Sequence, residues 1–143
     1  MEATIEAKGL TRKFGDLVAV DHVGFEVHPG EIFGFLGPNG AGKTTTVRML
    51  TGVIDPTEGT ATIQGHDIRK EPLLSKAHIA VVPEEANVYL DLSVWQNIML
   101  MAELHGVSRH QYLKDAECLL DALGLADRKK HKARALSKGL RQR

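Results

Sequence analysis

The 143-residue sequence predicts an α/β fold in two parts, a β-rich front over residues 1–91 and a helical region over residues 92–143. Three observations predict it. Short alternating or apolar runs fill the front, separated by turns rich in glycine and proline. One of those runs feeds into a glycine-rich loop that opens a helix. Past residue 92 the pattern lengthens to a helical period, with a serine ahead of each segment.

Each element has a local reason. Thr4–Ala7 and Val23–Val27 alternate as half-buried strands do, and Gly15-Asp16 and Pro29-Gly30 mark turns. Glu31–Leu36 is a short apolar run, the expectation for a strand buried on both faces. Lys43–Leu50 has helical character and stops at Thr51-Gly52, a C-cap pair. Asp55-Pro56-Thr57-Glu58-Gly59 is a turn, Thr60–Gln64 an edge strand, and Gly65-His66-Asp67 a second turn. Ile79–Val82 reads as another short strand, closed by Pro83. Ser93 caps a helix to about His105, which Gly106 ends. Ser108 caps a second helix to about Leu123, with Tyr112, Leu113, Ala116, Leu119, Leu120 and Leu123 on one broad face.

Composition narrows the classes of function. Hydrophobic residues make up 43% and charged residues 25%, as in an ordinary soluble globular protein. Lysine plus arginine (18) balances aspartate plus glutamate (18), so net charge gives no argument for a nucleic-acid or membrane partner. Arg128 to Arg143 is basic without an acidic residue, which reads as a solvated face. Cys118 has no partner cysteine, which fits a reducing compartment. No signal peptide follows Met1, and the longest apolar stretch, Ile98–Ala102, is too short to span a bilayer. The seven histidines show no metal-ligand spacing.

Gly37-Pro38-Asn39-Gly40-Ala41-Gly42-Lys43-Thr44, followed by Thr45, fits the phosphate-loop pattern G-x-x-x-x-G-K-[ST]. Glycines let the backbone curl and bring its N–H groups against phosphate oxygens. The following helix points its positive end at the same place. Lys43 supplies a full charge to the β- and γ-phosphates, and Thr44 offers a hydroxyl to Mg²⁺. The loop by itself does not select ATP over GTP.

Phe14-Gly15, Ala19-Val20-Asp21, Pro29-Gly30-Glu31-Ile32-Phe33-Gly34, the loop, and Leu136-Ser137-Lys138-Gly139-Leu140-Arg141-Gln142-Arg143 together resemble an ATP-binding-cassette (ABC) transporter ATPase. The last segment is similar to that family's LSGGQ signature followed by QR. The resemblance covers essentially the whole chain and leans toward ABC-2-type exporter ATPases of bacteria and archaea. It implies a P-loop NTPase with an incomplete RecA-like core, an antiparallel β subdomain and a helical subdomain. Phe14 would stack on adenine, with Val20 flanking the ring. Ser137 and Gly139 would touch the γ-phosphate of ATP held by a second ATPase subunit in a head-to-tail dimer. A membrane-spanning subunit would be the other partner, with Tyr89, Trp95 and Gln96 near that contact. The protein would lie in the cytoplasm, at the inner face of the membrane, and no nucleic acid is expected.

The sequence departs from the family twice. Lys138 replaces the first of the paired glycines, and Leu140 the glutamine. Glu84 stands where the family usually carries a glutamine that helps hold Mg²⁺ and the attacking water. A carboxylate can also ligate Mg²⁺, so Glu84 is the candidate, with Glu85 its competitor. Catalysis is thereby assigned to Lys43 and Glu84, with Thr44 and Glu84 toward Mg²⁺. The family's further parts, an aspartate-ending strand, a water-polarising glutamate and a switch histidine, are not in the sequence. The expectation is therefore the front of a longer subunit that binds ATP and hydrolyses it negligibly, with an unpaired sheet edge prone to self-association. Two other readings stay open: a soluble ABC ATPase without transport, acting on ribosomes or DNA, and an ATP-gated binding module without chemistry.

Overall fold

The computed structural model describes residues 2–85 and 87–143. It divides into two compact units, 1–81 and 82–143.

The first unit is built on an antiparallel four-stranded sheet of order β2-β1-β3-β4. Strand β1 (Ile5–Phe14) turns at Gly15-Asp16 into β2 (Leu17–Val27), so the two predicted strands are longer than their alternating cores. The pairing is irregular around Leu10–Lys13. Buried Thr11 accounts for part of this: its hydroxyl donates to Gly9 O (3.2 Å) and accepts from the N–H of His22 (3.0 Å), a residue held at φ 45°. Strand β3 (Glu58–Ile63) pairs antiparallel with β1, and β4 (His66–Asp67) completes the sheet. Helix α1 (Lys43–Leu50) matches its predicted span, with Thr51 as C-cap and Gly52 at φ 64°. Met49 and Leu50 of α1 pack into a core with Ala7, Leu10, Val20, Ala61, Ile63 and Ile68. A short helix α2 (Pro72–Lys76), started by Pro72 at its first position, follows.

Two predicted strands did not form. Glu31–Leu36 and Ile79–Val82 belong to no sheet among the described residues. A strand exists through its hydrogen-bond ladder, and neither segment pairs with one of the four strands. The first keeps a strand's alternation all the same. Phe33 and Phe35 pack on Phe25 with ring centroids 4.9 and 5.2 Å away, while Ile32 and Leu36 on the other side are 99% and 97% exposed.

The second unit is helical: α3 (Val94–Leu104), α4 (Arg109–Ala122), two 3₁₀ turns (Ala126–Arg128, Ala133–Ala135) and α5 (Lys138–Gln142). Ser93 and Gln96 form a full capping box at the start of α3. Tyr112, Ala116 and Leu120, four residues apart, are the buried stripe of α4; Leu113, Leu119 and Leu123 from the predicted broad face are exposed. Val94, Leu120, Leu125 and Leu136 form the core, with Trp95 and Ile98 against it. The Tyr112 hydroxyl donates to Glu103 (3.2 Å), joining α4 to α3. Burial, then the Glu103 carboxylate, raises its phenol above the ordinary range.

The compact units divide at 81/82, ahead of the 91/92 division read from sequence. Buried Asn97 accepts from Tyr89 N–H (2.8 Å) and donates to the carbonyls of Tyr89 (3.0 Å) and Ser93 (3.0 Å). Ala133 and Arg134 N–H donate to Leu92 and Leu90 O, and Gln142 Nε2 donates to Pro83 O. Pro83, Tyr89, Leu90 and Leu92 are thus stitched to the helices. No helix among the described residues is long and apolar enough to cross a membrane.

Candidate phosphate-binding site

The candidate site of the first unit is the loop Gly37–Thr45 at the start of α1. Three of its glycines take backbone angles that L side chains resist: Gly37 at φ 152°, Gly40 at 85° and Gly42 at 80°. Gly42 is also required sterically. A Cβ there would stand 2.5 Å from Ala19 O and 3.0 Å from Val20 Cγ2. The loop is therefore seated on strand β2 at Ala19-Val20.

Inside the loop, Ala41 N–H donates to Pro38 O (3.3 Å) and Thr46 N–H to Gly42 O (2.8 Å). Lys43 folds back so that its ammonium donates to both Gly37 O and Pro38 O at 2.6 Å. A single charge thus closes the loop at its mouth, where anionic oxygens would meet it. Gly42, the N-cap of α1, brings no side-chain hydrogen bond and no acidic residue occupies the first turn. The helix's first N–H groups and the positive end of its dipole are left for a ligand, the physical requirement of an anion site. Pro38, Asn39, Gly40, Ala41 and Thr44 are exposed, while Lys43 and Thr45 are half-buried.

Phe14 ends strand β1, opposite Leu17, and is 46% exposed. Val20 is 5% exposed and packs in the core, with its Cγ2 3.0 Å from where a Cβ on Gly42 would stand. The Arg12 guanidinium lies over the Phe14 ring, 4.5 Å from its centroid. The sequence reading missed Arg12, whose anchor lies 43 residues away at Asp55 O (2.8 Å).

Glu84, Glu85, Ser137 and Gly139 belong to the second unit. Glu84 and Glu85 are exposed in a bend. Ser137 is the N-cap of α5 and its oxygen accepts from Leu140 N–H (3.3 Å), which leaves its O–H free to donate. A Cβ at Gly139 would meet nothing within 4 Å. Gly139 is thus bare for no reason internal to the unit. Of the residues assigned to a membrane contact, Trp95 lies against the helical core with Lys129 Nζ 4.1 Å from its ring, and Gln96 serves the capping box. Tyr89 is 53% exposed.

The donor chemistry fits Mg²⁺. That ion takes hard oxygens, keeps most of its waters and needs one or two protein ligands. The Thr44 hydroxyl and the Glu84 carboxylate are exposed oxygens of that kind. Among the described residues there is no cluster of three or more His, Cys, Asp or Glu that would suit a metal needing a full protein cage.

Comparison with known proteins bears directly on these loops. The family model for ABC transporters matches residues 20–143. The probable multidrug ABC transporter ATP-binding protein YbhF of Escherichia coli is 39% identical over 142 residues, which are 99% of this chain and 25% of that protein. The Nod factor export ATP-binding protein I of Cupriavidus metallidurans is 38% identical over 143 residues, 100% of this chain and 47% of that one. The daunorubicin/doxorubicin resistance ATP-binding protein DrrA of Streptomyces peucetius is 37% identical over 97% of this chain and 42% of its own length. A solved ATP-binding subunit of an ABC transporter superposes with a TM-score of 0.83 at 29% identity, over 97% of this chain and 58% of that one. The chain therefore spans less than half the length of these curated relatives.

Proposed function

The chain belongs to the ABC transporter family, and from that premise we propose that it binds ATP at Gly37–Thr45 and that the protein containing it is the ATPase subunit of an ABC exporter. One observation carries the ATP reading: the glycine loop is seated on Ala19-Val20 with the uncapped start of α1 behind it and the Lys43 ammonium across its mouth. The names of the relatives, in multidrug transport, Nod factor export and drug resistance, support export as the process.

In this reading, loop N–H groups and the α1 dipole hold the β- and γ-phosphates. Lys43 exchanges a loop carbonyl for phosphate oxygen and stabilises the charge that grows during in-line attack by water. Thr44 and Glu84 would hold Mg²⁺, which when bound neutralises charge on the phosphates. Phe14 stacks on adenine. Ser137, through its free O–H, and Gly139, through its bare backbone, face the γ-phosphate of ATP on a second, head-to-tail subunit. ATP binding closes that pair, hydrolysis reopens it, and a separate membrane-spanning subunit converts the cycle into transport. Of Tyr89, Trp95 and Gln96, exposed Tyr89 is the candidate contact to that subunit. The protein works in the cytoplasm at the inner face of the membrane.

Calorimetric titration of ATP into this chain tests the reading. Lys43→Ala should weaken binding about 10- to 100-fold, the range of a lost charge-assisted hydrogen bond. Unchanged affinity in a folded Lys43→Ala chain would refute the site.

A further inference from the structure

Arg12 has no role in the scheme above, yet it is held in one place. Its Nη1 donates to Asp55 O at 2.8 Å, and its Nε is buried without a hydrogen-bond partner among the described residues. The guanidinium lies over the Phe14 ring, Cζ 4.5 Å from the centroid. The acceptor is fixed as well. The turn after Asp55 is tied back to β1 by Thr57 N–H donating to Thr11 O (2.8 Å) and by Lys13 N–H donating to Thr57 Oγ1 (3.1 Å). The neighbouring cation, Lys13, is engaged by Glu58 at 2.7 Å. Arg12 is thus the cation that this corner of the sheet directs at the ring.

We propose that Arg12 is a positioning residue of the base platform: its guanidinium backs one face of Phe14, so that adenine stacks on the other. This rests on the reading of Phe14 as the adenine contact. With one face covered, a ring 46% exposed presents a single face to a ligand. Backing also prevents the ring from turning edge-on, which lowers the ordering cost of stacking. A cation on the covered face draws π density toward itself, so the open face repels the electron-rich face of a purine less. The turn Asp55–Gly59 then becomes part of the nucleotide site without touching nucleotide.

The test is titration of ATP and of inorganic triphosphate into the unmutated chain and into Arg12→Ala, Phe14→Ala, the double variant and Lys43→Ala. Arg12→Ala should weaken ATP about two- to fivefold, the range of an exposed cation–π contact, and leave triphosphate unchanged. It should add nothing in the Phe14→Ala background. Tighter or unchanged ATP binding, an equal loss for triphosphate, or full additivity overturns the proposal. Proton NMR of the unmutated chain gives a second readout that needs no folded variant. The Arg12 Nε–H and Cδ protons should stay shielded by the ring when ATP is added, and collapse of that shielding overturns the proposal. If the unmutated chain binds neither ligand, or Lys43→Ala binds both normally, the ATP site itself falls. If Lys43 matters and Arg12 does not, the platform proposal alone falls.

Discussion

Gly42 lies so close to Ala19 that a methyl group on residue 42 would stand 2.5 Å from the Ala19 carbonyl oxygen. The neighbour is strand backbone and has no means of moving aside. Residue 42 also sits at φ 80°. Gly42→Ala therefore meets both a clash and backbone strain, and strain alone costs about 1–3 kcal/mol. Thermal melting should register the loss, and calorimetry should show ATP binding abolished, because the loop leaves its seat on β2.

Gly139 predicts the opposite pattern. A Cβ there enters open space at a helical position of α5. Gly139→Ala should leave the melting temperature unchanged or raise it, since alanine is favoured over glycine in a helix by up to about 1 kcal/mol. ATP-driven dimerisation and steady-state ATP hydrolysis by the full-length protein should nevertheless fall. Normal hydrolysis would remove Gly139 from the proposed shared site.

The proposed Mg²⁺ role distinguishes Glu84 from Glu85 in the full-length protein. Glu84→Gln should retain Mg²⁺-dependent hydrolysis, because the amide oxygen is still a hard ligand. Glu84→Ala should raise the Mg²⁺ concentration needed for half-maximal rate, and Glu85→Ala should not. The reverse result would move the role to Glu85.

Asn97 straps the segment before α3 to the helical unit. Asn97→Ala would leave Tyr89 N–H without its buried partner, at a cost of about 1–3 kcal/mol. Hydrogen exchange at the Tyr89 amide should accelerate accordingly, and exchange in β1 and β2 of the other unit should not change.

Asp67 gives stability a pH dependence. Burial opposes its charge, but N–H donation from Arg69 and Lys70 and the Thr60 hydroxyl outweigh it, so its pKa lies below the ordinary 3.8. A depressed folded pKa stabilises the fold above the unfolded value and is lost as pH falls through the folded value. Melting of the chain should therefore decline below pH 3.8 more steeply than melting of Asp67→Asn.

The sequence by itself determined the features whose causes are local. The glycines of 37–42, the charge of Lys43, the start and end of α1, and the Ser93 cap each depend on a handful of neighbouring residues, so spacing was enough to read them. The family resemblance carried by those segments agrees with the match over residues 20–143. Tertiary structure alone decided what depends on partners far along the chain. Glu31–Leu36 and Ile79–Val82 have the composition of strands, but a strand also needs a ladder, and composition cannot supply one. The unit boundary fell at 81/82 because Asn97, Ala133, Arg134 and Gln142 hydrogen-bond back to residues 83–92. Arg12 reached Phe14 only because a carbonyl 43 residues away fixed its guanidinium. Conformation and charge can be written into a few adjacent residues, whereas pairing and packing need the whole chain brought together.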